Sequence, residues 1–427
     1  MAPIEDHPLR YRLANELHAR PFPSMKPPSA AAYVAFKQPE MAASRDRAAD
    51  LAHLHDLLDR HGAPHPQPGA THYYGQIGKH WLKWEQHTEF VTYTIFSEGV
   101  QDRPFDPQAF AIFPEDWLAE APGQRVTSIL IRVEQEADPE TIRDNLNAWF
   151  VPESLAVSSV LDEAAVIAGD FRIDQAGHMR FGVFVGPGTG ERRVGRIVQR
   201  LCEIETYKTM SMLGFARVRD MGTELSALDT RLITLVEDMS IEGSRAEETL
   251  KALLAISAEL ETLSAQSSFR FGATWAYEAI VEERIQALRE ARYLGRQSFG
   301  EFMARRYQPA MRTVRSAQER LEAMSSRGVR AANLLRTRVD VERSAQNQAL
   351  LESMDKRSDL QLRLQRTVEG LSVVAISYYA VSLASYVLYP LEEPTGLSKN
   401  MLTAIVTVPV VLLVWGMIRR LRRSVDK

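Results

Sequence analysis

The stretch at residues 370–391, "GLSVVAISYYAVSLASYVLYPL", decides how the chain is organised. It contains no charge, yet it directly follows "MDKRSDLQLRLQRTVE" (354–369), where charge dominates. A helix needs ~20 apolar residues to cross ~30 Å of hydrocarbon, and this run supplies them. A second uncharged run, residues 400–418 ("NMLTAIVTVPVVLLVWGMI"), follows the polar link "EEPTGLSK" (392–399). The spacing predicts two membrane-spanning helices joined by a tight loop. The competing reading is a pair of core helices buried on every side in a soluble protein.

Charge placement predicts the orientation. Lys356, Arg357, Arg363 and Arg366 precede the first run, and Arg419, Arg420, Arg422 and Arg423 follow the second. The link sets Glu392 and Glu393 against Lys399. Lysine and arginine stay on the cytoplasmic side, so both ends are expected in the cytoplasm and the link outside. Tyr386, Tyr389 and Trp415 suit the membrane interfaces. Ala380 and Ala384, with Ser377 and Ser385, suit close helix packing. Neither run holds an Asp, Glu, Lys, Arg or His, whereas ion-coupled transporters keep such residues inside the membrane.

Upstream, the chain changes character once. Of the 21 prolines, 17 lie at or before Pro187, and Pro309 is alone between Pro187 and Pro390. Proline breaks helix interiors, so the stretch from 191 onward is expected to be helical. Leucines step by three and four there, as in Leu225–Leu228–Leu232–Leu235 and Leu250–Leu253–Ile256–Leu260–Leu263. Such spacing is the seam of a coiled coil or of an antiparallel bundle. Before it, segments rich in aromatic and β-branched residues ("AAYVAF", "KHWLKWEQ", "TEFVTYTIF", "QRVTSILIRVEQ", "SLAVSSVL", "AAVIAGDFRID", "HMRFGVFVG") alternate with short helical patterns. The expected fold class is an α+β N-terminal domain with a largely antiparallel sheet, a long helical bundle or coiled-coil middle, and a C-terminal two-helix transmembrane hairpin. The expected boundaries are 1–190, 191–366, 367–391, 392–399, 400–418 and a basic tail at 419–427. One cysteine, Cys202, fits a reducing compartment, and the first residues lack a signal-peptide core.

Several polar groups are candidates for chemistry. Asn15, Glu16, His18 and Arg20 form the densest polar cluster near the start. With Glu85 and His87 they form a candidate surface for an anion or metal, or else caps and pins for the first helix. In "LKWEQHTEF" a continuous strand puts Glu85, His87 and Glu89 on one face, and a turn near His87 splits them. His53, His55, His61, His65 and His72 match no zinc spacing. "GPGTGERR" (186–193) lacks the Lys-Ser/Thr of a phosphate loop. Glu203, Glu205 and Tyr207 alternate, so a helix does not gather all three, and they read as polar contacts inside the bundle. Residues 301–366 carry 14 basic and 8 acidic side chains without interleaved aromatics. That favours anionic lipid or an acidic partner over nucleic acid. No motif calls for a catalytic residue, a cofactor or a metal, and no small-molecule ligand is indicated.

The motifs "HPLRYRLANELHARPFP", "LKWEQHTEF", "LCEIETYKTMSMLG", "NLLRTRVDVERSAQNQALLESMD" and "LQRTVEGLSVVAISYYAVSLASY" occur in this order. On them the chain resembles a bacterial family of membrane-anchored proteins, domain of unknown function 3422. The resemblance implies a membrane anchor and assigns no activity. A more distant likeness of layout is to CorA-type magnesium channels. Their Gly-Met-Asn signature is replaced here by "YPLEEPTG", and likeness of layout is a weak warrant for function.

The combined expectation is a scaffold or regulatory protein of the bacterial inner membrane. Its soluble part faces the cytoplasm, its two spans sit in the bilayer, and it assembles as a homo-oligomer. The alternatives are a CorA-like divalent-cation channel and an enzyme with its site near His18 and His87.

Overall fold

The computed structural model describes residues 4–11, 22–40, 42–239, 246–388, 390 and 398–425. The chain forms two compact units: residues 1–242 with 251–331, and residues 243–250 with 332–427.

The first unit is built on nine strands: β1 (Ser29–Lys37), β2 (His72–Ile77), β3 (His80–Gln86), β4 (Phe90–Glu98), β5 (Gln124–Gln135), β6 (Ala156–Val160), β7 (Ala165–Ile173), β8 (Met179–Val185) and β9 (Ala291–Arg292). Their order is β2-β3-β4-β1-β5-β8-β7-β6-β9. Every neighbouring pair is antiparallel except β5 and β8. The mixed α+β class with an N-terminal sheet is therefore as expected. Two strands escape the pattern reading. β2 begins where a proline-rich loop ends, and it pairs with β3 through the turn 78–79, where Gly78 adopts φ +54°. β9 has only two residues, too few to show alternation, and it brings the helical part of the chain back to the sheet edge at β6.

Three helices lie within the strand-rich part. Helix α1 (Arg47–Arg60) is capped by Asp46, which accepts from the Ala48 amide at 2.8 Å. Helix α2 spans Glu115–Ala119, and α3 spans Pro139–Trp149 with Asp138 as its cap. Leu54, Leu57 and Leu58 of α1 and Trp117 of α2 bury against Val34, Phe36, Leu82, Trp84, Tyr93 and Ile95. These sheet residues sit at alternate positions of β1, β3 and β4, so they share one face. Helix α3 closes a second core with Val157, Val166, Ala168 and Phe184.

Long helices follow: α4 (Glu191–Asp238) and α5 (Ala246–Ala287), then α6 (Phe299–Phe302) and α7 (Gln308–Leu388). A π turn at Met303–Tyr307 joins α6 to α7. It lies where Pro309 has no N–H to donate to the carbonyl four residues back. The leucine stripes predicted from spacing are buried within one chain: Leu225, Leu228 and Leu232 on α4, and Leu253, Ile256, Leu260 and Leu263 on α5. Met311, Val314, Leu321 and Met324 of α7 are buried too. α4 and α5 approach closely at Gly214, where a Cβ would lie 2.2 Å from Thr274 Oγ1.

The second unit contains the rest of α7 and α8 (Lys399–Val425). From residue 340 to 368 every residue of α7 is exposed. The apolar segments of α7 and α8 are each only 6% buried.

Arg45 fixes the β3–β4 turn. Its side chain is 2% exposed and pairs with Asp50 at 2.9 Å. It also donates to the carbonyls of Ala42, His87, Thr88 and Phe90. Removing one partner of a buried ion pair leaves an uncompensated charge. Arg45→Met is expected to lose about 3–5 kcal/mol of stability in urea denaturation.

His53 offers a pH test of the α1 core. Its ring stacks on Trp117 at 3.9 Å. Nε2–H donates to the Trp117 carbonyl at 3.0 Å, so Nδ1 accepts from the Tyr93 hydroxyl at 2.9 Å. Burial holds its pKa below the ordinary histidine value. The unfolded chain takes up this proton near pH ~6.5, and the folded chain does so only at lower pH. The contribution of His53 is thus complete above pH ~6.5 and is lost as pH falls. Denaturation midpoints should drop between neutral and mildly acidic buffer, and His53→Gln should flatten that drop.

Candidate functional site

β3 alternates between two environments. Leu82 and Trp84 enter the apolar core, so Lys83 and Glu85 point to the opposite face. The register places Lys83 opposite Thr94, Glu85 opposite Thr92, and Tyr33 opposite Thr94 on the other side. A polar sheet face results, and α4 covers it rather than water. Gln199, Cys202, Glu203, Thr206 and Tyr207 step by three and four along α4, so they present one stripe to the sheet. Arg284 of α5 closes one side. With Phe22, His87, Phe90 and Phe96 these residues enclose a cavity of about 320 Å³. That volume is at the small end of ligand sites.

The charges inside are matched. Lys83 Nζ lies 3.0 Å from Glu85 Oε2, and the Lys83 side chain is 5% exposed. No hydrogen-bond acceptor among the described residues is aligned with that ammonium. Arg284 pairs with Glu203, and Gln199 Nε2 donates to Glu203 Oε1 at 2.7 Å. Thr206 donates its hydroxyl to the Cys202 carbonyl at 2.8 Å. Its oxygen is therefore the acceptor in the 2.6 Å contact with the Tyr33 hydroxyl. Burial holds the Tyr33 phenol well above its ordinary range, so it remains a donor. His87 stacks on Phe90 at 4.3 Å and meets the Tyr207 ring edge-on.

Of the sequence candidates, the structure brings Glu85 and His87 into this cavity. Glu89 goes elsewhere, because the chain turns between β3 and β4. It is buried between Arg270 and Tyr277 of α5, accepting from the Tyr277 hydroxyl at 3.0 Å. Asn15, Glu16, His18 and Arg20 lie outside the described residues, as does most of the predicted first helix. Glu203 and Tyr207 line the cavity, while Glu205 faces away and pairs with Lys208 at 2.7 Å. Lys83, Gln199 and Arg284 were missed. The four-residue steps 199–203–207 and 202–206 were the legible signal for the helix side. Nothing in the sequence singles out Arg284.

The histidines of the α1 region do not converge. His55 stacks on His65, which contacts Asp59 at 2.7 Å, while His53 is a core residue. Among the described residues no group of three or more His, Cys, Asp or Glu side chains is placed to hold a metal. The cavity is thus a set of donors, acceptors and aromatic walls suited to binding.

Cys202 is part of that wall. Burial, and then the nearby Glu203 carboxylate, push its thiol far above the ordinary cysteine range. The thiolate is the reactive species. Native protein at mildly alkaline pH is therefore expected to resist iodoacetamide, with complete alkylation after denaturation, as read by intact-mass spectrometry.

No curated protein and no solved structure matches the chain. A family model described as "Protein of unknown function (DUF3422)" matches residues 5–425. With nearly its whole length covered, the chain belongs to the DUF3422 family.

Proposed function

We propose that this protein is a membrane-tethered scaffold or regulatory module whose soluble part faces the cytoplasm. The observation that carries the reading is the bare apolar surface of the two C-terminal helices. Leu371, Val374, Tyr378 and Leu383 on α7 and Leu412 and Leu413 on α8 are all more than half exposed. Contiguous apolar patches beyond a few hundred Å² are rare on soluble monomers, whereas a bilayer covers such helices without cost. α7 and α8 act as the two arms of a hairpin, within the boundaries 367–391 and 400–418. The arginines and lysines flanking both runs support a reading with both termini in the cytoplasm and the hairpin in the inner membrane of a bacterium. The basic excess at 301–366 adds attraction to anionic headgroups.

The segment of α7 between residues 340 and 368 supports a homo-oligomer. Val341, Leu350, Leu351, Met354 and Leu360 are exposed there on a helix that no element among the described residues covers. A second copy pairing along this segment as a coiled coil buries them.

Full-length protein expressed in bacteria should stay in the membrane pellet after alkaline carbonate extraction. Alkaline phosphatase inserted within 392–399 should be active, and a fluorescent protein at the C-terminus should fluoresce. Release into the soluble fraction, or an inactive phosphatase, overturns the tether.

A further inference from the structure

We infer that the cavity between the sheet and α4 binds a small zwitterion of the α-amino-acid type, with its carboxylate at Lys83 and its ammonium at Gln199. The inference concerns the first unit alone and stands whether or not the C-terminal helices enter a membrane.

Two groups lining the cavity select the class. Among the described residues, Lys83 pairs with Glu85 and Arg284 with Glu203, yet Lys83 and Gln199 are left with unused hydrogen-bonding capacity. Lys83 is 4% exposed, and its ammonium has an ion-pair partner but no hydrogen bond to a described residue. A lysine ammonium only donates, so it calls for an acceptor such as a carboxylate.

Gln199 Oε1 is buried and has no hydrogen-bond partner among the described residues. Its identity as the oxygen is fixed chemically. The other amide atom contacts the Glu203 carboxylate, which only accepts, so that atom is the NH₂. The oxygen therefore calls for a donor such as an ammonium. A buried polar group left unsatisfied costs free energy, so a ligand that satisfies both ends gains on both. The rings of Phe90 and Tyr207 offer the apolar contact for a side chain.

The test is calorimetric titration of detergent-solubilised full-length protein with each of the twenty L-amino acids. The best binder is then compared with its deaminated acid and its decarboxylated amine. At least one amino acid is expected to bind at roughly millimolar Kd or tighter, with both analogues about tenfold or more weaker. Lys83→Met is expected to weaken binding about thirtyfold or more, and Gln199→Leu about tenfold. Near-ultraviolet circular dichroism checks that each variant is folded. Gln199 is only half-buried, so Gln199→Leu carries the test if Lys83→Met does not fold. Three results overturn the inference: no amino acid binds, an analogue binds as tightly as its parent, or folded Gln199→Leu binds like the wild type.

Discussion

The first unit depends on covering both faces of a sheet whose strands are amphipathic. At β3 and β4, one face carries Leu82, Trp84, Tyr93 and Ile95, and the other carries Lys83, Glu85, Thr92 and Thr94. An amphipathic strand ordinarily leaves its polar face to water. Here α4 lies over it, and every polar group taken from water must find a partner or cost free energy. The Lys83–Glu85 and Arg284–Glu203 pairs and the Tyr33–Thr206–Cys202 chain meet part of that demand. Space is left over, because short hydroxyl side chains do not fill the gap between sheet and helix. The cavity is a consequence of putting threonines and an ion pair where a packed core would have valine and leucine.

The same logic explains the anchoring of the turn that carries His87. Arg45 donates to the carbonyls of His87 and Thr88 in the chain between β3 and β4, and to that of Phe90 at the start of β4. At the opposite edge, Glu290 performs a similar role. It accepts from Ser158, from Ser298 and from the Gly300 amide, and so ties the start of α6 to β6. Both clamps use one buried or half-buried charged side chain to satisfy several groups. Such hydrogen bonds are stronger than neutral ones.

The second unit obeys a different rule. Its α7 and α8 segments expose rather than bury their apolar side chains. Helices need no partner for backbone hydrogen bonds, so they stay formed where a strand would not. What such helices lack is a medium for their side chains, and a bilayer or another copy of the chain can provide one.

Local pattern was enough for much of this. Alternation and β-branched content marked most of the strands, proline distribution marked the helical part, and uninterrupted apolarity marked the two C-terminal helices. These are properties of a few consecutive residues. On α4, Glu203, Glu205 and Tyr207 read in the sequence only as polar contacts inside the bundle, although the spacing from Gln199 to Tyr207 contains a stripe. Nor could the sequence show what that stripe faces. Glu85 stood out only as part of a candidate surface with His87, and neither Lys83 nor Arg284 was singled out. Residues more than a hundred positions apart became one site only when α4 closed over the sheet. Tertiary structure decided this because burial, not residue type, sets whether a charge is solvated by water or by its neighbours.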